Sequence, residues 1–321
     1  MKIKKEYIIL AAVIVGLALY LYFRKNERAL YQLPELFQVS AKDISKIEID
    51  KADGKIVLKK AGDTWYVIPR DYPADTSRIK GITSTLEKLT LTAMVSESKN
   101  YTRYDLNPDK KISVKAWAGE ELRREFDIGK DVRSSRHTFV KLAGDDRIYH
   151  AQDNFRNKFD RSAGDFRDKT VLSFTSSNVR EIRITTGDQV LTFNRTQAPL
   201  EKDAAGDKDQ SSLKERKIWQ SADGREGDES RLNKLLSTLS NLTCEDYIED
   251  RKKEDFTDPI YLIQLKGEKD YSLSIFAKLN NADGNYPAVS SENNYPFLLP
   301  EWKAKDVMPT SEEIIKTTEK S

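Results

Sequence analysis

The sequence predicts an α+β fold: two tandem repeats, each an antiparallel sheet packed on one main helix, behind an N-terminal transmembrane helix. Three observations predict it. Residues 75–90, DTSRIKGITSTLEKLT, return as residues 228–243, DESRLNKLLSTLSNLT, with eight of 16 positions identical. Segments with β-branched residues two apart flank both copies, the period of a half-buried strand. Residues 7–23, YIILAAVIVGLALYLYF, form an apolar run without a charge.

That run spans roughly 25 Å as a helix, just short of the roughly 30 Å hydrocarbon core. Tyr7, Tyr20 and Tyr22 stand near its ends, where amphipathic rings favour the membrane interface. Lys2, Lys4 and Lys5 precede it, and Arg24, Lys25 and Arg28 follow. The expectation is a membrane anchor over residues 1–30, with the short basic end cytoplasmic and the bulk of the chain across the membrane. The rival reading is a signal peptide cleaved near Gly16-Leu17-Ala18. The run continues through Phe23 into Arg24-Lys25, so cleavage would leave an apolar stub.

The first repeat is expected over residues 40–152. It begins with a strand around Ile44, Ile47 and Ile49 and a second around Ile56-Val57-Leu58. Trp65 follows, and then a helix capped by Asp75. Ile79, Ile82, Leu86 and Leu89 make one apolar stripe on that helix, facing a sheet. The turn Tyr104-Asp105-Leu106-Asn107-Pro108, strands Ile112–Trp117 and Leu122–Ile128, and a pair closing near Tyr149 complete it.

The second repeat is expected over residues 178–302. Ile182 and Ile184 match the opening strand, Trp219 matches Trp65, and Asp228 caps a helix striped by Leu232, Leu235, Leu239 and Leu242. Both tryptophans are expected to fill a sheet–helix interface. Residues 153–177 form a connector, with Phe166, Leu172 and Phe174 as packing groups, and residues 303–321 a tail. The copies differ most at 196–217. Ten of those 22 residues are charged, five of each sign, which predicts a disordered loop.

Composition excludes more than it selects. Lys and Arg number 54 against 52 Asp and Glu, so there is no electrostatic footprint for nucleic acid. The local run Lys130, Arg133, Arg136 fits a solvated hairpin tip. A single cysteine, Cys244, rules out an internal disulfide framework and fits a small core residue. The two histidines, His137 and His150, are 13 apart on separate strand segments, and no metal-ligand spacing joins them. There is no Gly-x-Ser-x-Gly elbow and no phosphate-cradling glycine loop. No catalytic, cofactor-binding or metal-binding residue stands out, and no cofactor is expected.

Several short motifs in order carry a resemblance. They are the expected N-terminal anchor, a Trp65 strand, Tyr72-Pro73-Ala74-Asp75 opening a helix, Tyr104-Asp105-Leu106, Asp127-Ile128-Gly129, Phe139-Val140, Ile148-Tyr149, and Phe166-Arg167-Asp168-Lys169 with Val171-Leu172. Together they resemble the bacterial family called domain of unknown function 4340, over about residues 40–305. Asp105 stands where that family usually has glycine. The resemblance implies a membrane-anchored envelope protein, often linked to gliding-type ABC transport components, and it carries over no activity or catalytic residue.

The expected function is therefore a non-enzymatic accessory, scaffolding or binding subunit of an ABC-type transport system, single-pass and mostly periplasmic. Its partners would be the membrane and a permease, an ATPase or other envelope proteins. An envelope glycan- or peptide-binding protein, and an enzyme acting on an envelope polymer, stand as alternatives.

Overall fold

The computed structural model describes residues 5–24, 31–133, 136–199, 215–279 and 284–316. They fall into two compact units, Met1–Asp168 and Lys169–Ser321.

The expected fold class needs correction. The described residues form mainly antiparallel strands in three sheets, with several helices rather than one main helix per sheet. Among the described residues no helix is long and apolar enough to cross a membrane. Helix α1, Lys5–Arg24, has 20 residues, but Lys5, Glu6 and Arg24 occupy its ends. What remains uncharged is the 17-residue run, at the short end of the roughly 17–25 residues of a span.

In the first unit, strands β1 (Lys46–Lys51), β2 (Gly54–Ala61), β3 (Thr64–Ile68) and β4 (Tyr72–Pro73) form a meander before helix α2 (Thr76–Lys88). Strands β5 (Leu91–Ser96), β6 (Ile112–Ala118), β7 (Glu121–Asp131), β8 (His137–Leu142) and β9 (Ile148–Gln152) follow, then the short helix α3 (Arg156–Phe159). The nine strands lie in the order β4-β3-β2-β1-β6-β7-β8-β9-β5. Alternation drives the pattern: Ile47 and Ile49 are fully buried, while Glu48 between them is half-buried and pairs with Lys46 and Lys55.

In the second unit, β10 (Thr170–Ser173) pairs with β14 (Asn241–Thr243) as a small sheet. Eight strands make the large one: β11 (Glu181–Thr186), β12 (Gln189–Pro199), β13 (Glu215–Ser221), β15 (Asp246–Tyr247), β16 (Tyr261–Lys266), β17 (Tyr271–Ile275), β18 (Tyr286–Ser290) and β19 (Phe297–Leu299). Their order is β13-β12-β11-β16-β17-β18-β19-β15. From β3 to β9, and again from β13 to β19, the connectivity is the same. Helices α4 (Glu229–Leu239), α5 (Glu301–Val307) and α6 (Ser311–Ile314) accompany this sheet.

Local signals explain the two long helices. The Asp75 carboxylate accepts from the Arg78 amide at 2.9 Å, and Asp228 does the same for Arg231 at 2.9 Å. Both apolar stripes are buried. Trp219 is fully buried and aims its indole N–H at Asn233 of α4, whereas Trp65 is only half-buried. The charged segment 196–217 is ordered at both ends, since β12 and β13 pair from Thr196↔Ile218 to Pro199↔Glu215. The rest of it, 200–214, lies outside the described residues. The connector divides between the units: Phe155, Phe159 and Phe166 are buried in the first, Val171 and Leu172 in the second.

Candidate functional site

The candidate site lies on the first unit, on the face of the sheet turned away from α2. Arg124 of β7 identifies the other face, because its Nε donates to the Leu86 carbonyl in α2. Ile128 shares the parity of Arg124 and pairs with Val140. Phe139, one residue from Val140, therefore points away from α2, and so does His150, its partner across β8 and β9.

A turn closes over this face. Residues Tyr101–Tyr104 form one turn of 3-10 helix, ended by Asp105 in the left-handed conformation (φ 56°, ψ 36°). The Leu106 amide returns to the Tyr101 carbonyl at 3.0 Å. Glycine is the easiest residue at such a φ and aspartate is among the few others that tolerate it, so Asp105 makes the turn without glycine. Beneath the turn sits Gly129. A Cβ there would overlap the Tyr104 carbonyl oxygen and come within 3.0 Å of Leu106. The motifs Tyr104-Asp105-Leu106 and Asp127-Ile128-Gly129 thus meet in one contact.

The turn delivers Tyr104 edge-on to Phe139, with ring centroids 4.9 Å apart. Phe139 is 4.9 Å from His150, and His150 is 5.4 Å from His137. Four rings thus run in a row along β8, β9 and the turn. The hairpin is pinned by Thr138, which donates to Asp131 at 2.7 Å and accepts from the Phe155 amide at 3.1 Å.

Beside the row opens a cavity of about 530 Å³, lined by Val95, Arg103, Tyr104, Lys130, Val132, Phe139 and His150. Two basic side chains and an imidazole join an apolar floor, and no carboxylate lines the cavity. Arg103 and Lys130 are exposed, and among the described residues neither makes an ion pair. Burial, and then the neighbouring His137, lower the pKa of His150, which favours the neutral imidazole.

By spacing alone His137 and His150 stand apart and Lys130 fits a hairpin tip. The strand register brings the histidines together. The signal was available: a hairpin centred between Gly144 and Asp145 pairs Phe139 with His150 and sets His137 diagonally beside it. Cys244 lies elsewhere, in the second unit, buried, with its thiol pKa pushed up to about 12 by that burial. Among the described residues no group of three or more His, Cys, Asp or Glu is placed to hold a metal ion.

The second unit does not repeat this site. Register sets Ile263 at the place of Val114, and thence Ile275 at Ile128, Phe276 at Gly129, Pro287 at Phe139 and Leu298 at His150. A buried Phe276 fills the position where the first unit needs glycine.

No curated protein and no solved structure matches the chain. One family model does, described as domain of unknown function (DUF4340), over residues 65–259. The match covers more than half of the chain and includes every residue that lines the cavity. The chain belongs to the DUF4340 family.

Proposed function

We propose that the protein is a non-enzymatic binding or scaffolding subunit of the bacterial cell envelope, and that its first unit binds a negatively charged ligand. The observation that carries this reading is Arg103 and Lys130 beside an apolar floor, in a cavity lined by no carboxylate. Two cations of one sign at a single pocket favour an anion, and the apolar floor favours a ligand whose charge is attached to an apolar body. Envelope location and an accessory role beside an ABC-type transporter are supported by the family resemblance.

Benzoate, a carboxylate on a flat apolar ring, is a suitable probe. Calorimetric titration of the full chain at pH 7 should give saturable binding. The double variant Arg103→Ser, Lys130→Ser should bind at least about tenfold more weakly, about 1.4 kcal/mol. Equal binding by the variant, or no binding by the wild type, would overturn the reading.

A further inference from the structure

We infer that the ligand of this cavity is the C-terminal end of a peptide or protein whose last side chain is apolar. The inference rests on the anionic-ligand reading above and narrows it.

The lining argues for one kind of anion. A sugar acid presents several hydroxyls, each needing a donor or acceptor, since a polar group buried without one is penalised. Once Arg103 and Lys130 take the carboxylate, only Tyr104 and His150 remain in the lining as polar side chains for them. A nucleic acid presents a line of phosphates and needs an extended basic track, whereas this chain carries 54 basic against 52 acidic residues. A peptide terminus presents one carboxylate next to one side chain, and the lining has the same two parts. The forked Arg103 guanidinium and the compact Lys130 ammonium suit the carboxylate. Val95, Val132 and the Phe139 ring suit an apolar side chain. The volume, about 530 Å³, lies within the ordinary range for a ligand pocket. Capture of a terminal carboxylate is also a recurrent mode of peptide recognition.

The test uses the full chain and four probes: Ac-Gly-Gly-Phe with a free carboxylate, its C-terminal amide, Ac-Gly-Gly-Ser with a free carboxylate, and galacturonic acid. The phenylalanine acid should bind about tenfold or more tighter than its amide and than the serine acid, and galacturonic acid should bind least. The variant Arg103→Ser, Lys130→Ser should lose the preference for acid over amide while keeping the wild-type circular dichroism spectrum. Equal affinity for acid and amide would overturn the inference, and the wild-type comparison alone suffices for that. Galacturonic acid binding tighter than the phenylalanine acid would overturn the peptide assignment and leave the anionic-ligand reading standing. If benzoate does not bind the wild type, the anionic-ligand reading falls and this inference falls with it.

Discussion

The backbone at Gly129 lies so close to Tyr104 that a Cβ on Gly129 would overlap the Tyr104 carbonyl oxygen and reach 3.3 Å from Phe139. One glycine thus seats the turn, and the turn sets Tyr104 against Phe139 at the cavity. Gly129→Ala forces turn and strand apart, an overpacking change expected to cost about 1–3 kcal/mol. Urea unfolding measures that cost, and benzoate binding should weaken with it. An unchanged midpoint would show that the turn yields freely.

The two capping aspartates make a matched pair. Each accepts from the amide three residues on, at 2.9 Å. Asp75→Ala and Asp228→Ala should each destabilise their own unit by about 1 kcal/mol. Thermal or urea unfolding of the two variants checks this, and a loss well below that from either one would mean that tertiary packing holds that helix without its cap.

These helices were legible because their signals are local: a cap, a stripe and three residues of spacing. Trp219 was legible for the same reason, placed just before a capped helix. What the sequence concealed depends on register. His137 and His150 are brothers only across the β8–β9 hairpin, and Gly129 looks like an ordinary turn glycine until the Tyr104 carbonyl is set above it. The N-terminal run misled through length: 17 uncharged residues resemble a span, but among the described residues no helix is long and apolar enough to cross a membrane. Of the charged stretch 196–217 only the ends are described: pairing with β13 holds Thr196–Pro199 as strand, and residues 200–214, with seven of its ten charges, lie outside the described residues.

Tyr149 and Asp145 form a second testable pair. The fully buried Tyr149 donates its hydroxyl to Asp145 at 2.7 Å, and Arg147 chelates the same carboxylate. Tyr149→Phe removes a charge-assisted hydrogen bond and should cost about 1.5–3 kcal/mol. Equilibrium unfolding in urea is the readout, and a cost near zero would mean that water replaces the hydroxyl.

Acid should weaken the first unit in two stages. His150 has a native pKa below its ordinary 6.5, so below pH 6.5 the unfolded chain takes up a proton that the folded chain resists. Stability is fully present above that pH and falls as pH drops toward the native value. The Asp145 carboxyl is held well below its ordinary 3.8, chiefly by its hydrogen bonds from Arg147, so a further loss begins as pH falls through 3.8. Urea midpoints between pH 8 and pH 3 should show both stages, and His150→Gln should remove the first alone. A midpoint that is flat from pH 7 to pH 5 would contradict the burial of His150.

The chain has only two histidines, His137 and His150, and one of them lines the cavity. Proton NMR titration of the imidazoles, with and without benzoate, therefore tests the binding claim at the site itself. The His150 pKa should lie below 6.5 in the free protein and rise when benzoate is bound, because an anion favours the imidazolium. No such rise should occur in the Arg103→Ser, Lys130→Ser variant. A His150 pKa that benzoate leaves unchanged in the wild type would contradict the binding claim.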